Sequence, residues 1–461
     1  MNKRILLLGL ATLCGCTLGP DYKRPDTVSD AQIKAALNIA DDCVTVDRQW
    51  HKSFGDSKLN DLIDLALSDN PDVNAAIEKL KQARIALEIQ GVQYYPTFDL
   101  SGGYTKLKPS KNVFGAAKES YYQAGLDASW ELDLWGAGRR LTENAQAAAN
   151  AAAASLDDVR LTLKAEIINN YISLRQAQEQ LRLLNRTLKL QNKIARLSAD
   201  KAKSGLISQT DLVRARYAVD SIKAQIPSVK TAISLYKNNL TLLTGKLPEQ
   251  LNSLLNDTAQ NIIRDGFIYN PSALAQIPAD ALRTRPDVRA AEQALVAQNA
   301  LIGNAIANLF PTVSFSGFFG FQADHLNRLA RKSSDMFSLA PGIKMPLFHW
   351  GALFKQVDLE KSATKEAASA YQKAVLNAAS EVKNAIVSVS EQIVQTETNT
   401  RALDKMRNIS ALTLAQYDSG LIPLDSTLSV MQDVLKAKTA VIQSKGAFYQ
   451  AVVGFYKSIG Y

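Results

Sequence analysis

One internal duplication constrains this chain more than anything else in it. The 461 residues repeat a pattern once, at a constant offset of 215. Asn70-Pro71-Asp72-Val73 returns as Arg285-Pro286-Asp287-Val288, and Ala75-Ala76 as Ala290-Ala291. Tyr95-Pro96-Thr97 returns as Phe310-Pro311-Thr312, Ser101-Gly102 as Ser316-Gly317, and Trp135-Gly136-Ala137 as Trp350-Gly351-Ala352. Ser204-Gly205-Leu206-Ile207 returns as Ser419-Gly420-Leu421-Ile422, and Gly245 as Gly460. No insertion shifts the register between these blocks. A unit this long, present twice, is a duplicated module rather than a short-period solenoid. Its function must use two copies of one shape.

Most of each copy is helical. Residues 139 to 204 and 352 to 419 contain neither glycine nor proline, and their Ala- and Leu-rich composition predicts long helices. Each would reach roughly 100 Å at 1.5 Å per residue. Leu174, Ala177, Leu181, Leu184 and Leu188 step by three and four as a coiled-coil seam, and Val382, Ile386, Val389, Ile393 and Leu403 do much the same. A glycine cap is expected at Gly205 and at Gly420. Second helices follow over about 208–244 and 423–458, with Pro423 in a first turn and Pro227 expected to kink the first of them. Each copy therefore holds a helical hairpin.

Ahead of each rod the period changes to two. Phe98, Leu100 and Tyr104 alternate with Thr97, Asp99, Ser101 and Thr105. Tyr122, Ala124, Leu126, Ala128, Trp130, Leu132 and Leu134 alternate with Tyr121, Gln123, Asp127, Ser129, Glu131 and Asp133. Val313, Phe315, Phe319 and Phe321, then Phe337, Leu339, Ile343 and Met345, repeat the pattern in the second copy. These are four strands of about ten residues, a length that crosses a bilayer when tilted. A soluble sandwich has the same alternation, but no other element of the chain would cover so apolar a face. Four strands cannot close a barrel, and lipid does not tolerate an open edge. Two chains would give eight strands and a filled interior, whereas three give twelve and room for water. The polar inward face favours three.

The N-terminus reads as a signal. Lys3-Arg4 precedes the apolar run Ile5 to Leu13, and Leu13-Cys14-Gly15-Cys16 fits a lipoprotein cleavage site that makes Cys16 the acylated first residue. An ordinary secretory signal with two incidental cysteines is the alternative. Thr17 stands where aspartate would retain a lipoprotein at the inner membrane, which points to the outer membrane. Of three cysteines only Cys43 then keeps a free thiol, so an intrachain disulfide is unavailable and packing must hold the fold. The formal charge of +9 falls to +7 when Lys3 and Arg4 leave. Basic and acidic residues intersperse along the helices, as on a solvated surface rather than a nucleic-acid patch. Only Lys106, Lys108, Lys111 and Lys118, with Arg328, Arg331 and Lys332, gather in loops, where they could meet lipid phosphates or simply aid solubility. After the signal no run of 18 apolar residues remains, which excludes a spanning helix.

Cys16-Thr17-Leu18-Gly19-Pro20-Asp21-Tyr22-Lys23-Arg24-Pro25, with the duplicated Pro-Asp-Val, Tyr/Phe-Pro-Thr, Trp-Gly and Ser-Gly-Leu-Ile blocks, resembles the TolC/OprM outer membrane factors over residues 16 to 461. The resemblance implies a mainly α fold with a β-barrel portion. Three chains would share a twelve-stranded transmembrane barrel and a helical periplasmic tunnel. It implies a signal over 1–15, a lipidated segment over 16–69, repeats over 70–245 and 285–461, and an equatorial linker over 246–284. It also implies a passive exit duct docking a periplasmic adaptor and an inner-membrane pump, with no cofactor beyond the lipid on Cys16. The adaptor would meet the tips Ser204, Gly205, Leu206 and Ile207, and Ser419, Gly420, Leu421 and Ile422.

The family's periplasmic gate is matched only in part. Tyr417 fits the tyrosine before the second tip glycine, but Ser426 and Ser429 occupy the aspartate positions, with Asp425 one place earlier. One residue turns a helical side chain by about 100°. Asp425 is either a ring charge holding the mouth shut or a solvated helix-start aspartate stabilised by the dipole. Asp418 and Asp211 are the other candidates. Catalysis finds no support: His51, His325 and His349 lie in unrelated elements, and no P-loop, Gly-x-Ser-x-Gly, His-Glu-x-x-His or Gly-x-Gly-x-x-Gly occurs. Export of proteins or metal ions by a duct of the same kind remains open. A non-conducting coiled-coil lipoprotein would explain the rods but not the strands.

Overall fold

The computed structural model describes residues 17–25, 49–110, 112, 119–256, 263 and 281–461. The signal, Cys16, Cys43, Lys111 and Lys118 lie outside the described residues. In chain order the elements are α1 Ser57–Asp69, α2 Pro71–Val92, β1 Thr97–Leu107, β2 Glu119–Leu132, α3 Ala137–Lys203, α4 Gln209–Thr244 and α5 Pro248–Leu255. Then come α6 Pro286–Ala307, β3 Thr312–Ala323, β4 Asp335–Lys344, α7 Ala352–Asp418 and α8 Leu424–Ser458. The two rods, α3 and α7, have 67 residues each. The chain divides into two compact units that cut across the duplication, each taking part of both repeats. The first holds all four strands; the second holds both hairpin tips.

In the first unit the strands form one antiparallel sheet in the order β1-β2-β3-β4. The register sets Leu100 beside Leu126, Leu126 beside Phe319, and Phe319 beside Phe337. The apolar residues of all four strands therefore share one face. β2 stops at Leu132, before the expected Leu134, because Asp133 is taken by the next element. Its carboxylate accepts the N–H groups of Gly138 and Arg139 at 3.2 and 3.0 Å, capping α3 two residues earlier than glycine-free composition suggests.

The opposite sheet face is less uniformly polar than its sequence reads. Phe318 belongs to it and is buried, 7% exposed. A Cβ on Gly125 would lie 2.6 Å from the Phe318 ring and 2.5 Å from the Phe319 carbonyl oxygen. The paired glycines Gly125 and Gly320 thus make room for an aromatic ring lying on the wall.

Residues 17–25, also in this unit, are strapped to the repeats. The buried Arg140 guanidinium donates to the carbonyls of Leu18 and Gly19 at 3.0 and 3.1 Å and pairs with Asp21 and Glu143 at 2.9 and 2.7 Å. Asn299 donates to the Pro20 carbonyl at 3.0 Å, and Arg24 pairs with Glu292 at 2.7 Å. Tyr22 donates to the same carboxylate at 3.3 Å. Burial, then Glu292, pushes the Tyr22 phenol up to about 12, so it remains a donor at neutral pH.

The second unit explains why Asn-Pro-Asp-Val and Arg-Pro-Asp-Val recur with a distant glycine. α4 ends at Gly245, whose φ is +65°, and Asn70 donates to the Leu243 carbonyl at 2.8 Å. The Asn70 side-chain oxygen also accepts the Asp72 and Val73 N–H groups, capping α2. Arg285 takes the same place in the second repeat, donating to the Ser458 carbonyl at 2.6 Å near the end of α8. One residue thus ties the end of one helix to the start of another. A second network fixes α5 to α3. Arg175, fully buried, donates to the Leu254 and Asn256 carbonyls and to Tyr171, and Tyr171 donates to Asp56. The cation meets the carbonyl end of α5, where the helix dipole favours it.

Candidate functional site

Two places carry the candidate function, one in each unit. The first is the sheet. Leu100, Phe319, Phe337 and Ile343 on its apolar face are 64 to 83% exposed, and no described helix covers them. β1 and β4 each have one unpaired edge. Among the described residues no helix is long and apolar enough to cross a membrane, which says nothing against strands doing so.

The second place is the pair of hairpin tips. α3 ends at Lys203, and the N–H groups of Gly205 and Leu206 return to the Ala202 and Lys201 carbonyls at 3.1 and 2.9 Å. α7 ends in the same way, with Gly420 and Leu421 bonded to Tyr417 and Gln416 at 3.0 and 2.9 Å. Gly205 and Gly420 have φ of +69° and +71°, the left-handed cap that glycine adopts at little cost. Ser204 and Ser419 turn their hydroxyls back onto Asp200 and Ala415 carbonyls. This leaves Leu206 and Leu421 projecting, 72 and 75% exposed, while Ile207 and Ile422 are half-buried beneath them. A bare turn needs the glycine but not the exposed leucine.

Around the tips the two hairpins are held together. Ala215 and Ala218 of α4 pack on Leu424 and Leu428 of α8, with Ile194, Ala195 and Tyr417 against them. The Lys201 ammonium lies 4.9 Å from the centre of the Tyr417 ring, a cation–π contact. Asp425 pairs with Arg214 at 3.4 Å, both about half exposed. The structure thus brings Tyr417 and Asp425 of the second hairpin onto residues of the first. Asp211 behaves differently: its carboxylate accepts from the Ser208 N–H and hydroxyl while Ser208 caps α4, a complete capping box. Asp418 is the exposed last residue of α7, where the dipole disfavours a negative charge. Ser426 and Ser429 are exposed as well.

Sequence reasoning missed Arg214, which lies 211 residues from its partner in an element with no motif. It also missed Arg140, the residue that receives the N-terminal strap. The only signal for Arg140 was its place four residues beyond the repeated Gly136. Among the described residues no group of three or more His, Cys, Asp or Glu side chains could hold a metal ion.

The family described as outer membrane efflux protein matches residues 62–246 and again 277–461. The second match begins and ends 215 residues after the first, at the offset of the duplication. Nodulation protein T of Rhizobium leguminosarum bv. trifolii is 30% identical over 427 residues, covering 91% of this chain and 90% of that protein. The toluene efflux pump outer membrane protein TtgI of Pseudomonas putida is 30% identical over 440 residues, covering 93% and 91%. Among solved structures, the outer-membrane channel OprN superposes with a TM-score of 0.86 at 27% identity, over 96% of this chain and 99% of that one.

Proposed function

The chain belongs to the outer membrane efflux protein family and is an outer-membrane channel for efflux; we propose that three copies share one barrel as a passive exit duct. The observation that carries this is the sheet: four bilayer-length strands with an exposed apolar face and two open edges. Lipid accepts only closed strand assemblies, so the edges must be closed by further copies. Twelve strands leave an aqueous lumen where eight do not. The lumen would be lined by Asp99, Asp127, Ser129 and Ser316.

In this reading the duct receives its cargo from an inner-membrane pump through a periplasmic adaptor. The adaptor docks on Leu206 and Leu421, whose exposure at both tips supports it. Small organic molecules are the cargo class, in keeping with the relative named for toluene efflux. The wall need not recognise them, because it has only to stay wet and open. The periplasmic mouth is held by Tyr417 on Lys201 and by Asp425 on Arg214. Cys16 carries the lipid, next to a strap that Arg140 fixes to the first unit.

Native mass measurement in detergent should return three copies, and the purified protein should carry ions across a planar bilayer. A stable monomer, or an oligomer that conducts nothing under any voltage, would refute the shared duct.

A further inference from the structure

The first hairpin carries a charge pattern that its duplicate lacks. Along α3, Arg182, Arg186, Lys189, Lys193 and Arg196 step by four, three, four and three, which keeps all five on one face of the helix. The positions 215 residues on, in α7, hold Glu397, Arg401, Asp404, Asn408 and Ala411. Five cations in the first copy thus correspond to two carboxylates, one cation and two neutral residues in the second. Lys223, Lys230 and Lys237 of α4 extend the pattern, spaced by seven and so on one side of that helix. Their counterparts are Lys438, Lys445 and Val452. There the lysines are half-buried, and Lys445 donates to the Ile263 carbonyl at 3.1 Å.

The two sets meet in space. Arg182, Asn185, Arg186 and Lys189 of α3, with Ile233 and Lys237 of α4, line a cleft of about 400 Å³. Arg182 pairs with Glu179 at 3.2 Å, and Lys237 donates to the Asn256 side-chain oxygen at 3.0 Å. Nearer the tip, Asp200 pairs with Lys203 and Asp220 with Lys223. Arg186, Lys189, Lys193, Arg196 and Lys230 are exposed, and none is paired with a carboxylate among the described residues. Like charges three and four apart destabilise a helix, a cost that a bound anion offsets. The end of α5 packs on this side of α3, its carbonyls accepting from Arg175 and Gln178. A duct has to stay open, so the side that carries α5 is the outer one.

We infer that this stripe is a binding surface for a hydrated, carboxylate-bearing polymer, the anionic glycopeptide meshwork of the cell wall that a long periplasmic extension has to cross. The inference goes beyond the exit-duct reading and rests on it only for which side faces outward. Two observations favour a polymer over an acidic protein. Protein interfaces are anchored by buried apolar and aromatic side chains, and the five cations have none among them. The nearest exposed leucines, Leu190 and Leu197, follow Lys189 and Arg196 and so point about 100° away. The unpaired cations from Arg186 to Arg196 also extend about 15 Å along the helix, as separate charges that suit carboxylates spread along a flexible chain. Each exposed ion pair contributes little, so the effect belongs to the set.

The test is co-sedimentation of the full-length protein, solubilised in detergent, with insoluble cell-wall sacculi stripped of bound protein. The parent should be retained at about 50 mM salt and released near about 300 mM, as the screening length shortens. Sacculi whose carboxylates have been amidated should retain about tenfold less. Arg186→Gln, Lys189→Gln, Lys193→Gln and Arg196→Gln combined should lower retention on native sacculi by about tenfold, with trimers still found by native mass measurement. Lys361→Gln, Lys365→Gln, Lys373→Gln and Lys383→Gln combined remove the same charge from exposed positions of α7 and should leave retention within about twofold of the parent. Parent retention indifferent to amidation or to salt would overturn the inference without recourse to any variant. An equal loss in the α7 control would also overturn it, by making net charge the cause. So would an α3 variant that sediments like the parent but no longer co-purifies with an adaptor, which would make the stripe a protein interface. Each of these outcomes leaves the exit duct standing, since that reading falls only with the trimers and conductance of the parent.

Discussion

Replacing Arg285 with alanine should open the junction that ends the second repeat, and the size of the effect can be worked from its contacts. The guanidinium is 8% exposed and pairs with Asp287 at 2.7 Å and Glu381 at 2.6 Å. Glu381 is 58% exposed and Asp287 38%, so solvent screening leaves each pair about 0.5–1 kcal/mol. The bond to the Ser458 carbonyl is buried and charge-assisted, worth about 1.5–3 kcal/mol. Together these come to about 3 kcal/mol, or roughly a hundredfold in a local opening equilibrium. Hydrogen–deuterium exchange over residues 452–461 and 286–292 should accelerate by that factor in Arg285→Ala. Arg285→Asn should lose much less, because asparagine at the matching position, Asn70, already bonds the Leu243 carbonyl and caps its helix. The loss also has a pH signature. Burial pushes Asp287 up, but the hydrogen bonds and charge of Arg285 outweigh it and hold the carboxyl below its ordinary value. A depressed carboxylate contributes stability above its unfolded pKa and loses it as pH falls through the folded one. The difference between parent and Arg285→Ala should therefore be full at pH 7 and shrink below about pH 4. Exchange within twofold of the parent at pH 7, or a difference that grows with acid, would refute this account of the junction.

Arg140→Ala should free residues 17–25, since it removes a buried cation from two carbonyls and two carboxylates. Exchange across the strap should rise by about 2–4 kcal/mol of lost protection, with the oligomer intact. Gly320→Ala would drive a methyl group into the Ala124 carbonyl oxygen and Gly125, costing about 1–3 kcal/mol and lowering the thermal midpoint of the detergent-solubilised protein. Gly102→Ala, whose Cβ would meet only the Gln123 carbonyl oxygen at an ordinary contact distance of 3.9 Å, is the control. Asp425→Ala should raise single-channel conductance and Arg214→Ala should do so equally, with the double variant adding nothing. Because both groups are half exposed, the coupling should be at most about 1 kcal/mol and vanish in high salt.

Local patterns made most of the architecture legible. The strands declared themselves through a period of two, the rods through the lack of glycine and proline, and the tips through Gly205 and Gly420. Each is a property of neighbours in sequence. What stayed hidden depends on elements meeting across space. Nothing near Asp425 signals Arg214, and nothing near Phe318 signals that Gly125 and Gly320 would pair beneath its ring. The division into two compact units was hidden for the same reason, since rods that run through both carry no break in composition.

The position shared by Asn70 and Arg285 shows where these two kinds of information join. The duplication marks the position as one that matters, yet the residues differ in charge, size and number of donors. What recurs is a demand made by the backbone. A helix leaves its last carbonyls without partners, and here Leu243 and Ser458 present theirs to the start of another helix. An amide meets that demand in the first repeat while capping α2 with its own oxygen. A guanidinium meets it in the second, where Asp287 offers its carboxylate to the Val288 N–H instead and the cation gains two acidic partners. Selection on an unsatisfied carbonyl constrains the geometry of the donor rather than its identity. Repeats in such a chain should therefore be compared by which backbone groups each side chain satisfies, and only then by residue type.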